Sequence, residues 1–532
     1  MTRHAPTPVV GSALPVRLAL AVIGGLAIWL AFPSANQWYA AWLGCGLLAA
    51  AGWAARFRTG FLVGLVGGLA FFVPTLSWSG IYVGRLPWFA LATLEALYIA
   101  AMLGVVGVLQ RRALAAGRAW AAYAAVPLGW VVGEWARGTT PFGGFPWAKL
   151  AFSQADAPIR GLAAVGGAPL LTATVAALGV AGLMLVRAVP ARRPRAAIAA
   201  ALGGALLALG PLAIPLGAPA GAETVRIGLV QGNVPKAGLD FNAERRAVLD
   251  NHADATAELA AGQDEPFDLV VWPENASDID PLRNSDAAAR ISDALAAVQA
   301  PLLIGAVLAE PEPQSSNASL LYLPGGGEPE RYVKQHPVPF AEYVPFRDFF
   351  RIFNDKVDLV RAGMAAGTET GYFALAAQDG RAFAALPSIC FEVAYDDLVR
   401  DSVTKERDVP SVLVVQTNNA TFGFTAESEQ QYAISRIRAI EHNRAVVHVS
   451  TVGVSGFIGP DGADAPQSEL FTRYVAAQDV PALTGLTIAD RIGPAPTYAA
   501  AAGLLLILGL GRRPAGRVAP PRTDRRKELA RA

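Results

Sequence analysis

The sequence predicts an α/β domain inserted into a set of membrane helices, and three observations predict it. The 532-residue chain is 53% hydrophobic and only 16% charged, too apolar for an ordinary soluble enzyme and too long for one domain. It contains about eight stretches of the roughly 20 apolar residues needed to cross a hydrocarbon core. Between the seventh and eighth lies a polar segment, Glu223 to Asp490, in which β-branched runs alternate with polar or helical ones.

The apolar stretches fall near 16–33, 38–54, 59–79, 88–110, 119–136, 160–187, 196–217 and 492–511. Arg3 and Arg17 ahead of the first give it the look of a signal peptide. Further spans follow closely and no small-residue cleavage site ends the run, so it is read as a retained helix. Arg56 and Arg58, then Arg111, Arg112 and Arg118, then Arg187, Arg192, Arg193 and Arg195 occupy alternate loops, and Arg512, Arg513, Arg525, Arg526 and Lys527 crowd the tail. The positive-inside rule makes that side cytoplasmic and puts the polar segment on the extracytoplasmic side. The expected organisation is a membrane domain over 1–222, an extracytoplasmic catalytic domain over 223–490, and a last helix with a basic cytoplasmic tail over 491–532.

Within the polar segment, Val225–Gln231, Leu269–Trp272, Leu302–Val307, Ala382–Ile389, Val412–Gln416 and Ala445–Ser450 read as buried strands. Asn242–Ala261, Asp286–Gln299 and Glu427–Asn443 read as helices, and Gly459–Gly462 as a hairpin turn. The net charge of +1, with arginines confined to short clusters, gives no support to a nucleic-acid partner. Two cysteines, Cys45 in an apolar run and Cys390 in the polar segment, argue against a structural disulfide.

Three residues carry chemistry. Glu274 follows a strand and a Trp-Pro pair, Cys390 ends the run Phe383 to Ile389, and Lys334 follows a Gly-rich turn at Gly325–Gly327. Strand ends that open into loops are where α/β scaffolds hold reactive groups. A thiol attacks only as thiolate and so needs a base or a positive charge nearby. Taken singly, each has a plainer reading: a strand-end salt bridge, a core cysteine, a solvated lysine. His336, His442 and His448 occupy no partner frame for the thiol and read as surface or structural residues. In the apolar part, Glu95 and Glu134 invite a functional reading because intramembrane charge is costly, but a structural pair with Arg85 or Arg137 is the plainer one.

Together, Trp-Pro-Glu274, Lys334-x-x-x-Val-Pro-Phe-x-Glu342-Tyr-Val-Pro and Cys390-Phe-Glu392 resemble the Glu-Lys-Cys set of the nitrilase superfamily. With seven spans before and one after, the chain resembles the apolipoprotein N-acyltransferase family. The likeness extends to Gly144-Phe-Pro-Trp147, Ser153-Gln154, Val230-Gln-Gly-Asn233 and Arg436-x-Arg438-Ala-x-Glu441, leaving only the termini outside. It implies a nitrilase-like αββα sandwich whose site opens at the outer membrane boundary. Glu274 would be the general base, Lys334 the oxyanion stabiliser and Cys390 the nucleophile, with Glu342 and Glu392 in support. The implied reaction takes an acyl chain from a phospholipid donor as a thioester and passes it to the N-terminal amine of a diacylglyceryl lipoprotein, with no cofactor and no metal. A membrane-tethered amidase, passing the acyl group to water through the same residues, is the alternative; a transporter or receptor that merely binds ligand is a second. The chain departs from the commoner family pattern at Ala341, Phe391, Asn419 and Thr421, which stand where Gly, Tyr, Asp and Trp are usual, and Phe241 is the nearest aromatic to a family Trp.

Overall fold

A computed structural model describes residues 13–236, 238, 246–353, 357–358, 360 and 362–511. Phe241, Arg3 and the basic residues from Arg512 onward lie outside them.

A helix occupies each of the eight apolar stretches: α1 (Leu14–Leu30), α2 (Tyr39–Gly52), α3 (Phe57–Thr75), α4 (Arg85–Ala115), α5 (Ala119–Thr139), α6 (Ala163–Ala188), α7 (Pro194–Leu209) and, after the polar segment, α14 (Ala495–Leu510). Phe57–Thr75, Arg85–Ala115, Arg160–Ala188 and Pro194–Ala213 are long and apolar enough to cross a membrane. The helices 14–30, 39–52 and 495–510 are shorter. On α7 the side chains of Ile198, Leu202, Leu206 and Leu209 are all exposed, a surface that water does not favour and lipid does. Inside the bundle, small residues allow close approach. A Cβ added to Gly60, Gly64 or Gly68 of α3 would come within 2.8 Å of the α4 backbone at Leu103, Ala100 or Ala96 respectively.

The polar segment forms two facing sheets. The first runs β11-β1-β2-β3-β4-β5, and the second β10-β9-β8-β7-β6. Their strands are β1 (Thr224–Gln231), β2 (Leu269–Val271), β3 (Leu302–Leu308), β4 (Ser316–Tyr322), β5 (Glu330–Val333), β6 (Phe373–Ala376), β7 (Ala382–Ile389), β8 (Ser411–Thr417), β9 (Val446–Ser450), β10 (Gly456–Ile458) and β11 (Tyr474–Pro481). Each sheet has three parallel strands at its centre, β1-β2-β3 and β7-β8-β9, with antiparallel strands outside. The two-residue period decides which side chains go where. On β8, Val412 and Val414 point between the sheets against Val225, Ile227 and Leu303. Leu413 and Val415 point to the other face.

Helices α8 (Ala247–Ala261) and α9 (Ser285–Val298) cover the outer face of the first sheet. Ala287, Ile291, Ala294 and Val298 give α9 one apolar stripe at helical spacing. Helices α11 (Asp396–Lys405) and α12 (Glu427–His442) cover the second sheet, completing an αββα sandwich. Two short helices, α10 (Arg347–Arg351) and α13 (Ile488–Ile492), lie in connections. The turn predicted at Gly459–Gly462 closes by Gly462 N–H to Gly459 O at 2.8 Å.

The layer of α11 and α12 is also where the bundle docks, because the core outside the second sheet is continuous with that of the apolar helices. The joint is polar at its centre. Arg438 of α12, fully buried, bonds Asp396 at 2.7 Å, the Val393 and Ala394 carbonyls at 2.8 and 3.0 Å, and Glu441. Lys149, from the loop after α5, reaches the same Asp396 at 2.7 Å. Gly167, which breaks α6 with a φ of +66°, lies so close to Glu441 that any Cβ would meet its carboxylate.

Within the bundle, Glu95 pairs with Arg137 at 3.1 Å, as the plainer reading expected. Glu134 instead accepts the Leu150 N–H at 2.7 Å and the Thr172 hydroxyl at 2.6 Å. The histidines are structural rather than superficial: His442 bonds Asp490 at 2.6 Å, His448 meets the Ser435 hydroxyl at 2.8 Å, and His336 stacks on Tyr395.

Because Arg438 offsets the buried charge of Glu441, Arg438→Leu is expected to lower stability by about 3–5 kcal/mol. Denaturant titration in detergent, following the α/β transition, checks it.

Candidate active site

Glu274 lies just beyond β2, where the chain leaves the first sheet, and three contacts fix its backbone. Pro273 O accepts the Gly305 N–H at 3.1 Å, Glu274 O accepts the Thr451 hydroxyl at 2.9 Å, and Trp272 O accepts from Gln416 at 2.7 Å. Gly305 of β3 is essential to this packing, since a Cβ there would sit 2.3 Å from Pro273 O. The carboxylate is thereby held in the interior, 3% exposed.

Lys334 follows β5, and its N–H donates to Asn317 O at 2.9 Å, which extends the ladder with β4 by one residue. Its ammonium, 1% exposed, lies 3.1 Å from Glu274 Oε1 and 2.9 Å from Glu342 Oε1. Asn317 Nδ2 donates to the same two oxygens at 2.6 and 3.2 Å. Glu342 is aimed by its other oxygen, which accepts the Val338 N–H at 2.7 Å. One cation and one amide thus hold two carboxylates in place.

Cys390 is the first residue after β7 and has a φ of +54°, a left-handed conformation that a residue with a Cβ adopts at a cost. The turn is stabilised by Glu392, whose carboxylate accepts the N–H groups of Ile389, Gln335 and His336 at 2.8, 2.6 and 3.2 Å and the Tyr332 hydroxyl at 2.9 Å. Glu392 therefore ties the loop after Lys334 to the turn that presents the thiol. Cys390 is half-buried as a residue, and its sulfur receives the Gln431 amide at 3.5 Å.

Burial raises the Glu274 carboxyl above its ordinary range; Lys334 opposes the shift and the Glu342 charge adds to it. Burial pulls the Lys334 ammonium down, but Glu274 and Glu342 outweigh it and hold the group well above its usual value. The Cys390 thiol is pushed up by burial and then by the Glu274 charge, against the pull of Lys334. A carboxylate, a fixed cation and a thiol thus share one electrostatic site, an arrangement that can support proton-coupled attack on a carbonyl.

The structure brings together all five predicted residues, Glu274, Lys334, Cys390, Glu342 and Glu392. Sequence reasoning missed Asn317, Tyr332, Glu427 and Gln431. The available signal was in α12, where Gln430, Gln431, Ser435 and Arg438 fall among positions that the helix buries. It also missed an aromatic wall built largely by the bundle. Phe391 stacks on Phe145 and Trp147, Trp147 meets Trp78, and the Trp78 and Trp147 N–H groups both donate to Gln430 Oε1, at 3.2 and 2.8 Å. At the rim, Phe346, Phe349, Ile352 and Phe353 around α10 are more than half exposed.

A model of the apolipoprotein N-acyltransferase N-terminal domain matches residues 24–181, and one of the carbon-nitrogen hydrolases matches residues 226–488. An apolipoprotein N-acyltransferase of Mycolicibacterium smegmatis is 39% identical, covering 96% of this chain and 87% of the relative. One of Ralstonia nicotianae is 31% identical over 93% of each. The chain belongs to the apolipoprotein N-acyltransferase family. Among solved structures, an amidase of the nitrilase superfamily from Nesterenkonia AN1 is similar over 53% of this chain and 98% of its own, at 16% identity and a TM-score of 0.38. In this member of the N-acyltransferase family the tryptophan of Gly144-Phe-Pro-Trp147 belongs to the site wall, and the arginine of Arg438-Ala-x-Glu441 belongs to the joint with the bundle.

Glu392 accepts four donors that would otherwise be buried without partners. Glu392→Ala is expected to cost about 3 kcal/mol or more and to reduce activity by orders of magnitude. A thermal melt read alongside an acyl-transfer assay checks both.

Proposed function

We propose that the chain moves a fatty acyl group from a phospholipid to the α-amine of a diacylglyceryl-cysteine lipoprotein, through a thioester on Cys390. The observation that carries this reading is the Lys334 ammonium held at 3.1 and 2.9 Å by Glu274 and Glu342 in electrostatic reach of the Cys390 sulfur. Family membership supplies the substrates.

In the first half-reaction Glu274 takes the Sγ proton as sulfur attacks the ester carbonyl carbon. The carbonyl electron pair moves onto oxygen, where Lys334 stabilises the oxyanion. Collapse breaks the ester C–O bond, and the lysophospholipid oxygen leaves with the proton held by Glu274. In the second, the lipoprotein amine attacks the thioester carbon and gives its proton to Glu274. The C–S bond breaks and the proton returns to sulfur. Ester and amine become amide and alcohol with no external reagent. Asn317 and Glu342 hold the base and the cation in register, and Glu392 holds the turn that carries the thiol.

The same proposal places all eight apolar helices across the membrane, with residues 1–222 as the membrane domain, 223–490 outside the cytoplasm, and 491–532 as last helix and cytoplasmic tail. Support comes from the arginine clusters of the α2–α3, α4–α5 and α6–α7 turns. These lie at the ends of α3, α5 and α6 opposite to those that meet α12 and its neighbours. The sandwich then rests on the outer leaflet, and the exposed aromatic rim around α10 enters the interface.

Incubation with phospholipid, followed by mass spectrometry of the Cys390 peptide, is expected to show an adduct of fatty-acyl mass. Cys390→Ala and Glu274→Gln should abolish it. Hydrolysis of small amides with no such adduct would favour the amidase reading and overturn this one.

The base must be ionised to work, and its carboxyl is raised above the ordinary 4.5. The adduct-forming rate is therefore expected to fall as pH drops through that raised value, giving an acid limb above the usual carboxylate range. Lys334 keeps its proton to well above its ordinary 10.5, so loss of the ammonium contributes no alkaline limb near neutrality. A pH–rate profile of single-turnover acylation checks both limbs.

A further inference from the structure

The mechanism above makes no use of Gln431, a fully buried residue of α12 whose amide meets the reacting sulfur. Which end of that amide faces sulfur is decided several bonds away. The Gly453 and Val452 N–H groups donate to Ser450 Oγ at 2.7 and 3.3 Å, so the Ser450 hydroxyl hydrogen goes to Asn419 Oδ1, at 2.5 Å. Ser428 Oγ, which accepts the Val454 N–H at 2.7 Å, faces the same Oδ1 at 3.5 Å. The Asn419 nitrogen is thereby turned toward Glu427 Oε2 at 2.6 Å and Gln431 Oε1 at 3.0 Å. The Thr417 hydroxyl also donates to Gln431 Oε1, at 2.7 Å. With its oxygen taken by two donors, Gln431 presents N–H to Cys390. Backbone N–H groups cannot reverse, so the polarity of the whole relay is fixed from β9 to the sulfur.

We propose that Gln431 is a catalytic hydrogen-bond donor to the Cys390 sulfur and that Asn419 is the positioning residue that orients it. The inference rests on Cys390 being the nucleophile. A donor on sulfur is worth more when sulfur is charged than when it is a thiol or a thioester. It therefore favours the approach to the thiolate-like transition state over the states on either side. Among the described residues, the charges facing this sulfur are Glu274 beyond β2, Lys334 beyond β5 with Glu342 behind it, and Glu427 on α12. Glu274 and Glu427 oppose a thiolate and Lys334 favours it, so a neutral donor on the α12 side offsets the carboxylate beside it. An Asp in place of Asn419 would have no N–H for Glu427 or for Gln431 Oε1, and its carboxylate would draw the Gln431 amide round so that oxygen faced the sulfur.

The test uses the full-length protein in detergent with Cys45→Ala, which leaves Cys390 as the one thiol. Its alkylation by iodoacetamide is timed across about pH 6 to 10, where rate follows thiolate fraction. Below the raised pKa of this thiol the rate at each pH is proportional to its thiolate fraction, and Gln431→Glu and Gln431→Leu are expected to lower that rate about tenfold across the window. Asn419→Asp should do the same. Asn419→Asp is the reading if the glutamine variants do not fold; Thr417 is not substituted, because its hydroxyl faces the Cys390 sulfur as well as Gln431 Oε1. Unchanged alkylation rates at every pH in variants that melt like the parent would overturn the relay. If the parent forms no acyl adduct at Cys390 with phospholipid, the nucleophile assignment fails; an adduct together with unchanged alkylation rates removes the relay alone.

Discussion

The structure depends on a buried cation shared by two acids. Lys334 has almost no exposed surface, and neither a lone ammonium nor a lone carboxylate is tolerated at that depth. Glu274 and Glu342 satisfy the ammonium, and Asn317 donates to both. Lys334 and Glu342 lie on one loop, but the ends of β2 and β5 and the strand β4 must reach their final register before the Glu274 charge is compensated. The first sheet is thus specified as much by this cluster as by its apolar side chains. The same constraint builds the chemistry. Two acids on one cation keep Lys334 protonated, and burial leaves Glu274 a stronger base than a surface carboxylate.

The second sheet solves a different problem, since its outer helices must face a membrane bundle instead of water. Helix α12 is buried over nearly its whole length, and its polar residues divide the task. Arg438 and Glu441 form the joint with Asp396 and Lys149, Gln430 receives the tryptophans of the bundle loops, and Gln431 turns toward the thiol. Placing the nucleophile turn beneath this layer means that Phe145 and Trp147, carried by a loop between apolar helices, cover it directly. Bundle and sandwich therefore share one wall of the site.

How much of this was legible follows from which signals are local. The apolar stretches announced every bundle helix, and β-branched runs announced the six buried strands of the two parallel cores. The motif frames around Glu274, Lys334 and Cys390 pointed to the charged centre, and Glu342 and Glu392 came with them. Strand β4 escaped because Ser316, Asn317 and Ser319 are polar yet buried, and their polarity is explained only by partners such as Glu274, Glu342 and Gln416. Strands β6, β10 and β11 are short or lie at edges, where half-exposed alternation gives a weak pattern. Gln431 and the aromatic wall were invisible for the same reason: their meaning lies in contacts across hundreds of residues.

On the proposed function, in which Cys390 is the nucleophile and an ester the donor, a protonated thiol at rest looks like a handicap, but it suits an enzyme working beside lipid. A preformed thiolate would stand open to oxidants and adventitious electrophiles whenever no substrate was bound. Here burial and the Glu274 charge keep the proton on sulfur, and Lys334 is already engaged by two carboxylates. An arriving ester carbonyl changes that balance. Its developing oxyanion draws on the ammonium as Glu274 accepts the proton, so in one step the negative charge leaves the carboxylate and appears on the carbonyl oxygen while sulfur stays neutral. Reactivity is then tied to occupancy of the site. On the proposed function the resulting thioester must survive until an amine arrives, and the stacked Phe145, Trp147 and Phe391 beside the turn provide the apolar cover that keeps water from the bond.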